Sequence, residues 1–177
     1  MKISIITVTY NSERFINDCL SSVKSQKYQN IEHIIIDGAS SDSTLQILKH
    51  KKHYLKYLIS EPDKGMYHAM NKGIKIATGD IIGFLNSDDV YATKNIISQV
   101  ANFFIKNKHM DACYGNVLYT NFDKSKVIRY WKSSKFMSGL FSKGWCPPHP
   151  TFFVRKKIYK KFGSFKLKYK IAADVEL

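Results

Sequence analysis

Residues 80–90, DIIGFLNSDDV, combine a short apolar run with two adjacent carboxylates, Asp88 and Asp89. The run has the length and composition of a buried parallel strand. Such a strand delivers the residues that follow it to the carboxyl edge of an α/β sheet, where ligands bind. Two acids there repel each other, and a divalent cation that joins them to a phosphate relieves the repulsion. An Asx turn ahead of a helix explains the same residues, so this stretch alone does not distinguish a metal site from a turn.

Strands and helices alternate on both sides of this stretch. Asn11 or Ser12 is the expected N-cap of the first helix, and Gly73 is expected to interrupt the third. Short links between alternating elements predict an α/β fold, with a Rossmann-like, doubly wound and mostly parallel sheet flanked by helices in a single domain. The predicted strands are 2–9, 31–36, 57–60, 81–85, 112–119, 127–131 and 151–154, and the predicted helices are 12–27, 43–50, 66–77, 94–106, 155–162 and the start of one at 171–177.

Composition narrows the class of protein. A chain of 177 residues suits one domain with a sizeable core. No apolar run approaches the roughly 20 residues of a membrane span, which makes a cytoplasmic protein the default expectation. The cysteines are odd in number and far apart, and no CxxC spacing exists, so we expect reduced packing residues rather than a zinc site or a disulfide framework. They are Cys19, Cys113 and Cys146.

The net charge of +14 is unevenly placed. Residues 124–173 contain fourteen Lys or Arg and no Asp or Glu, and they are rich in aromatic residues. This composition suits binding to nucleic acid, to an anionic lipid surface or to a phosphorylated substrate, and a merely solubilising face explains it equally well.

Glycine-rich phosphate loops are absent, because the first strand leads into TVTYNSE rather than GxGxxG and no GxxxxGK[ST] occurs. Dinucleotide oxidoreductases and P-loop enzymes are therefore poor fits.

Several ordered blocks of the sequence resemble the inverting GT-A glycosyltransferases of family 2, and most closely the bacterial branch that builds cell-surface polysaccharides. The blocks are TVTYNSERFINDCLSSVKSQ, IIIDGASSDST, SEPDKGMYHAMNKGIKIATGDIIGFLNSDD, HPTFFVRKKIYKKFGSF and AADVEL. The resemblance implies one GT-A domain over residues 1–177, with a nucleotide-sugar-binding part at 1–120 and an acceptor-side part at 121–177 that looks truncated at its end.

The same resemblance implies how a nucleotide-sugar donor is held. Thr9 and Tyr10 are expected to pack against the base and ribose, and Asp37 to hydrogen-bond the base, although an acid before Gly38 is also an ordinary turn residue. Lys64 matches the loop beside the diphosphate. Many relatives have Arg before the helical Asn71, where this chain has Met70. Asn71 is a mediocre helix former, which favours a polar role facing the donor.

The family's metal motif, Asp-x-Asp or Asp-x-Asp-Asp, corresponds here to NSDD, with the uncharged Asn86 at the first position. The resemblance assigns Mn²⁺ or Mg²⁺ to Asp89 first and Asp88 second, with Asp88 also available to the ribose. His149, in CPPHPTFF, is a further candidate ligand for the metal or diphosphate, with a packed loop histidine as the alternative. Asp174 matches the family's Asp-x-Glu block and is the expected catalytic base for the acceptor hydroxyl.

The resulting prediction is a metal-dependent inverting glycosyltransferase with a nucleotide-diphosphate donor, UDP-sugar favoured, and a hydroxyl acceptor on a glycan or a lipid-linked glycan. The protein is expected to be cytoplasmic, with possible peripheral contact with an anionic membrane, and no nucleic-acid partner is expected. A nucleotidyltransferase is the enzyme alternative, although the glycine- and arginine-rich loop expected near its N-terminus is missing. A basic nucleic-acid-binding module is the alternative from another class, in which Asp88 and Asp89 have no role.

Overall fold

The computed structural model describes residues 1–169 and residue 173, and it consists of eight strands, five α-helices and three short 3-10 helices in those residues. The strands are β1 (Ile3–Thr9), β2 (Ile31–Asp37), β3 (Tyr57–Ser60), β4 (Ile81–Phe84), β5 (Ala112–Cys113), β6 (Val117–Thr120), β7 (Val127–Trp131) and β8 (Phe153–Arg155). The α-helices are α1 (Ile16–Lys24), α2 (Thr44–His50), α3 (Met66–Ile76), α4 (Ile96–Lys106) and α5 (Lys156–Phe162), and the 3-10 helices are Lys52–Tyr54, Phe141–Lys143 and His149–Thr151.

Six strands form one sheet in the order β3-β2-β1-β4-β8-β5. The first four are parallel, and β8 runs antiparallel to both of its neighbours. The remaining two strands, β6 and β7, form a separate antiparallel hairpin. The sheet is therefore mostly parallel and of the α/β class, which confirms the predicted fold.

Alternating residues of the strands face two helical layers. Ile6 and Val8 of β1 belong to the core that includes residues of α3, whereas Ile3 and Ile5 belong to the core that includes residues of α1 and α4. Strands buried on both faces read as continuous apolar runs, which is why the central strands were predictable. Helices on both faces make the sheet doubly wound.

The third helix runs through Gly73, so the predicted interruption is wrong. A Cβ atom at Gly73 would lie 2.5 Å from Cγ2 of Ile6. Glycine is therefore present because α3 lies close against β1, and the contact offsets the roughly 1 kcal/mol that glycine costs inside a helix.

The predicted strand 112–119 is two strands that belong to two different sheets. The two strands are separated near Gly115, whose N–H donates to Oγ1 of Thr151 at 3.1 Å. The first helix likewise begins at Ile16 rather than at Ser12, because residues 11–13 are hydrogen-bonded to the loop after β2.

Residues 114–147 stand apart from the core. None of them is buried, although they include eight aromatic residues, six Lys or Arg, and one acid, Asp123. The tip of the β6–β7 hairpin rests on α1, where Phe122 meets Phe15 edge to face at 5.6 Å and Lys124 pairs with Asp18. We call residues 114–147 the basic aromatic surface.

The three cysteines are free thiols. Burial raises the pKa of the Cys19 thiol, and also that of the Cys113 thiol, to about 12, so neither is a reactive thiolate near neutral pH.

In the part of the chain described by the structure, no helix is both long and apolar enough to cross a bilayer.

Candidate functional site

The carboxyl ends of the four parallel strands meet at one edge of the sheet. Thr9 lies beside Asp37, and Asp37 lies beside Ser60. The loops after β1, β2, β3 and β4 therefore converge there, which is where an α/β sheet binds its ligands. We call this the carboxyl edge.

Thr9 and Tyr10 lie at this edge with Gly38 beneath them. Tyr10 is 64% exposed, and a Cβ atom at Gly38 would lie 3.4 Å from its ring and 3.5 Å from Oδ2 of Asp63. Two side chains therefore lie over the glycine. The Thr9 hydroxyl oxygen is buried and has no hydrogen-bond partner among the described residues. The exposed Tyr10 ring is a surface on which a flat ring can stack.

Asp37 is fully buried at the end of β2. Its carboxylate accepts hydrogen bonds from Ser40 N–H at 3.1 Å, Ser40 Oγ at 2.5 Å and Ser60 Oγ at 2.6 Å. These bonds stabilise the loops after β2 and β3. One lone pair of Oδ1 is not used by these bonds, so the base-binding role of Asp37 stays a prediction.

Asp88 and Asp89 lie in a turn directly after β4. The turn is closed by the Asp89 N–H, which donates to the Asn86 carbonyl at 3.0 Å, and we call residues 86–89 the acidic turn. Asp88 is exposed and Asp89 is half-buried. Burial, with the neighbouring charge of Asp88, raises the pKa of Asp89 to about 6, while His149 acts in the opposite direction. The Asn86 Oδ1 atom is buried without a hydrogen-bond partner in the described structure.

His149 reaches the acidic turn from a distant part of the sequence. It opens the 3-10 helix His149–Thr151, and its ring stacks on Phe84 with a centroid separation of 5.9 Å. Its charge acts to lower the pKa of Asp89. Within residues 1–169 and 173, however, no three His, Cys, Asp or Glu side chains form a metal-binding group, so the metal roles of Asp88, Asp89 and His149 stay predictions.

The loop after β3 is tied to α3. Lys72 Nζ lies 2.6 Å from Asp63 Oδ1, 2.8 Å from Glu61 Oε1 and 3.3 Å from the Pro62 carbonyl. Lys64, the predicted diphosphate contact, is exposed, and its N–H donates to His68 Nδ1 at 3.2 Å. That nitrogen is also 3.1 Å from Asp63 Oδ1.

Asn71 makes two hydrogen bonds with the backbone of Phe165. Its Nδ2 donates to the Phe165 carbonyl at 2.8 Å, and its Oδ1 accepts from the Phe165 N–H at 3.0 Å. This pairing holds the chain after α5 against α3, which accounts for a polar residue on this helix without a donor contact. The donor-binding role of Asn71 stays a prediction. Asp174 lies outside the described residues.

Sequence reasoning missed three residues of the site. Lys72 was not distinguished from other lysines, although its spacing from the loop acids, nine and eleven residues, was available. Ser12 was assigned only as an N-cap, and Ser87 was treated as the variable position of NSDD. In the structure their hydroxyl oxygens lie 2.8 Å apart, which links the loop after β1 to the acidic turn.

Residues 4–165 match the Glycosyl transferase family 2. The chain belongs to this family. A PGL/p-HBAD biosynthesis glycosyltransferase of Mycobacterium bovis is 31% identical over 174 residues, which are 97% of this chain and 66% of the relative. This family 2 domain thus spans about two thirds of the length of the curated relatives it matches.

Solved structures share the fold of this family 2 domain. TarS 1–349 from S. aureus superposes with a TM-score of 0.79 at 24% identity, over 99% of this chain and 53% of that fragment, and the fragment has been solved with UDP and with UDP-GlcNAc. The mannosyltransferase PcManGT of Pyrobaculum calidifontis, in complex with GDP-Man and Mn²⁺, superposes with a TM-score of 0.72 at 19% identity, over 94% of this chain and 48% of that protein. Both the family and the GT-A fold inferred from the sequence are confirmed.

Proposed function

We propose that this chain carries the donor-binding portion of a metal-dependent, inverting glycosyltransferase. The enzyme transfers a sugar from a nucleotide diphosphate to a hydroxyl of a glycan or lipid-linked acceptor. The acidic turn carries the proposal. A carboxyl that is half-buried beside a second acid, with its pKa raised to about 6, is stabilised by a cation. The buried amide oxygen of Asn86 adds an uncharged oxygen ligand to the same turn.

These residues fit Mn²⁺ or Mg²⁺, which prefer oxygen ligands and take some of them from substrate phosphates. Asp89 and Asp88 would hold the ion, with His149 as the further candidate. The bound ion would offset the charge that builds up on the departing diphosphate. The binding of nucleotide sugars by TarS and by the mannosyltransferase supports a nucleotide-sugar donor, and we favour a UDP-sugar.

The chain's own side chains bind the donor and move the proton. Tyr10 stacks on the base, Thr9 contacts the ribose, and Asp37 accepts from the base, while Lys64 and Asn71 border the diphosphate and sugar. Asp174 is the proposed base. It takes the proton of the acceptor hydroxyl as that oxygen bonds to the anomeric carbon, and the bond from this carbon to the diphosphate oxygen breaks on the opposite face.

The basic aromatic surface supports a proposal for the acceptor and its location. It carries six cationic residues, one acid and many exposed apolar side chains. We propose that the protein is cytoplasmic and contacts an anionic membrane through this surface, where a lipid-linked acceptor of a surface polysaccharide would be presented.

A thermal-shift panel of UDP-, GDP- and dTDP-sugars, with and without Mn²⁺, tests the proposal. At least one nucleotide sugar should raise the melting temperature by several degrees only when Mn²⁺ is present, because ligand binding stabilises the folded state by mass action. Asp89→Asn should remove this response without lowering the melting temperature of the unliganded protein, since it deletes a charge that the fold disfavours.

The matched control is Asp123→Asn, which changes an exposed acid at the tip of the hairpin and should respond like wild type. The proposal fails if no nucleotide sugar shifts the melting temperature of wild type, or if Asp89→Asn responds as strongly as wild type does.

A further inference from the structure

Side-chain hydrogen bonds join the loops after β1 and β2 into one unit at the carboxyl edge. Asn11 N–H donates to Ser40 Oγ at 2.9 Å, and Ser41 N–H donates to Asn11 Oδ1 at 2.9 Å. Ser12 N–H donates to Thr44 Oγ1 at 2.7 Å. Backbone groups bonded across two loops resist independent motion of either loop, so Tyr10 and the turn after Asp37 hold a fixed relation. We call residues 10–13 and 38–44 the nucleoside-side loops.

The acidic turn is a separate segment with little regular structure of its own. Strand β4 ends at Phe84, and the Leu85 N–H makes a last sheet bond to the Ile6 carbonyl at 3.0 Å. Beyond this point α4 does not begin until Ile96. The positions of Asp88 and Asp89 therefore depend on what holds the turn from the side.

The Ser12 hydroxyl is the point where the two parts meet. Its oxygen lies 2.8 Å from Ser87 Oγ and 3.1 Å from the Tyr10 carbonyl, and both serines are buried. Because a hydroxyl has one proton and a carbonyl can only accept, Ser12 donates to Tyr10 and Ser87 donates to Ser12. The result is a directed chain from the acidic turn to the backbone of the residue proposed to stack on the base.

A second contact supports the same turn from α1. The Cys19 thiol donates to the Asn86 carbonyl at 3.4 Å, and Thr7 Oγ1 lies 3.8 Å from that sulfur. A thiol is a weak donor, so it contributes less than the serine pair. The serine pair is thus the stronger of these two side-chain contacts to the acidic turn, within the residues that the structure describes.

We propose that Ser12 and Ser87 are positioning residues that make binding at the nucleoside-side loops and binding at the acidic turn interdependent. The inference rests on the proposed function, because it takes a nucleoside diphosphate with a divalent cation as the ligand that touches both parts. Such a ligand has a fixed distance between its base and its phosphates. Holding the two parts at that distance before binding removes a conformational cost from the binding step.

The experiment compares ligands that touch both parts with ligands that touch one. Dissociation constants for UDP and GDP with Mn²⁺, and for uridine and guanosine, are measured by calorimetry. We expect Ser12→Ala, and separately Ser87→Ala, to weaken the responding diphosphate by about 5- to 10-fold, as the loss of one buried hydrogen bond implies, and to change the corresponding nucleoside by less than about twofold.

The double variant tests whether Ser12 and Ser87 act through the hydrogen bond between them or each affect binding independently. Because Ser12→Ala already removes the bond that Ser87→Ala breaks, Ser12→Ala/Ser87→Ala should weaken diphosphate binding no more than Ser12→Ala alone. Ser12→Thr keeps a hydroxyl and should restore most of the affinity. Ser25→Ala is the matched control, since the Ser25 hydroxyl, just after α1, donates locally to the Ser22 carbonyl at 3.1 Å.

Hydrogen exchange of the Asp89 amide, which bonds to the Asn86 carbonyl, gives a readout that needs no ligand. Exchange should accelerate about fivefold or more in both alanine variants and stay unchanged in Ser25→Ala. The proposal is overturned if nucleoside and diphosphate weaken equally, if the two single effects add in the double variant, or if the Asp89 amide exchanges at the wild-type rate in both variants. If the wild-type protein binds neither UDP nor GDP, the proposed function is contradicted. In that case the exchange rates of the Asp89 amide still decide whether the serine pair holds the acidic turn.

Discussion

At the scale of single residues, Glu32 is a buried carboxylate at the end of the sheet opposite the carboxyl edge. It accepts hydrogen bonds from Ser4 Oγ at 2.5 Å, Thr78 N–H at 2.5 Å and Gly79 N–H at 3.0 Å, and it pairs with Lys2 at 2.6 Å. Burial alone would raise its pKa, but Lys2 and these hydrogen bonds outweigh burial and lower the pKa to about 2. The carboxylate joins the starts of β1 and β4 to β2.

The first prediction concerns Glu32→Gln. A folded pKa below the usual 4.5 means that the charged group stabilises the fold above about pH 4.5 and that this stabilisation is lost as the pH falls toward 2. The variant should lower the free energy of unfolding at pH 7 by roughly 2 kcal/mol, because charge-assisted hydrogen bonds are weakened and an N–H group of the new amide lacks an acceptor.

Urea unfolding at pH 7 and pH 3 measures the effect, and the deficit should be smaller at pH 3. Glu61→Gln, which changes an exposed acid, is the control and should change stability little. An equal deficit at both pH values would contradict the assignment of a charged Glu32.

His33 yields the second prediction, with a different pH window. Its ring is buried with Nε2 3.0 Å from Thr7 Oγ1, and burial lowers its pKa to about 3. The unfolded chain takes up a proton near the usual pKa of 6.5 while the folded protein does not, so stability should fall by up to about 1.4 kcal/mol per pH unit below that point.

His33→Gln replaces the ring by an amide that can still hydrogen-bond and that does not titrate, so the stability of the variant should depend less on pH between 6.5 and 4. Thermal unfolding across this range is the measurement. Parallel pH profiles for the variant and wild type would refute a neutral buried His33.

Single residues also show what the sequence could and could not reveal about the site. Asp88 and Asp89 were found because an apolar strand and two acids are adjacent in the chain. The partners of Asn71 and Glu32 were invisible because they lie 94 and 46 positions away, and no local pattern specifies which distant group meets a polar side chain. The low helix propensity of Asn71 gave no sign of its pairing with the backbone of Phe165, and its donor contact stays a prediction.

At the scale of elements, α3 positions the loop that carries Lys64. Lys72 reaches from the helix to Glu61 and Asp63, and the side chain of Asp63 is only 9% exposed. Burial acts to lower the pKa of Lys72, but hydrogen bonds and charge from Asp63 and Glu61 outweigh it and raise the pKa. The pair with the largely buried Asp63 therefore ties the loop to the helix more firmly than the pair with the exposed Glu61.

The third prediction is that Lys72→Met loosens this loop. Asp63 loses its closest cation, so amide exchange over residues 61–65 should accelerate, and the affinity for the donor should fall about tenfold because the loop has to be ordered on binding. Lys75→Met, an exposed lysine of the same helix, is the matched control. Unchanged exchange in Lys72→Met would show that the loop is held by its backbone instead.

Elements were predictable where both faces of a strand are apolar and less so where a single side chain redirects the chain. Strands β1, β2 and β4 were recognised from apolar composition alone. The division between β5 and β6 depends on Thr151, which bonds to Gly115 from 36 positions away. Helix α1 begins later than predicted for a similar reason, because the N–H groups of residues 11–13 bond to side chains of residues 40–44.

At the scale of the whole molecule, apolar side chains are exposed where cationic ones are concentrated. Ile128 is 67% exposed and Met137 is 61% exposed, and both belong to the basic aromatic surface. Apolar groups that insert into lipid, combined with Lys and Arg that attract anionic headgroups, are the two elements of reversible membrane binding. No acid other than Asp123 opposes them between residues 114 and 147.

The fourth prediction is that the protein sediments with phosphatidylglycerol vesicles at low salt and not with phosphatidylcholine vesicles. Ile128→Ser/Met137→Ser should bind several-fold more weakly with an unchanged melting temperature, because neither side chain contributes to a core. Ile105→Ser, at a 54% exposed position on α4, is the control. Wild type that stays in the supernatant at low salt, or a double variant that binds as strongly as wild type, would remove the membrane contact from the proposed function.

Strand β8 lies between β4 and β5, and its Phe153 ring packs so closely on Gly83 that a methyl group there would collide with it. During synthesis, β4 therefore has no partner on this side until the ribosome has made β8, which ends at residue 155. Until then the outer edge of β4, the strand that precedes both acids, has backbone groups without neighbours and is a template for intermolecular strand pairing. Premature release of the growing chain at about residue 120 should consequently yield an insoluble product, even though every nucleoside-side residue would already have been translated.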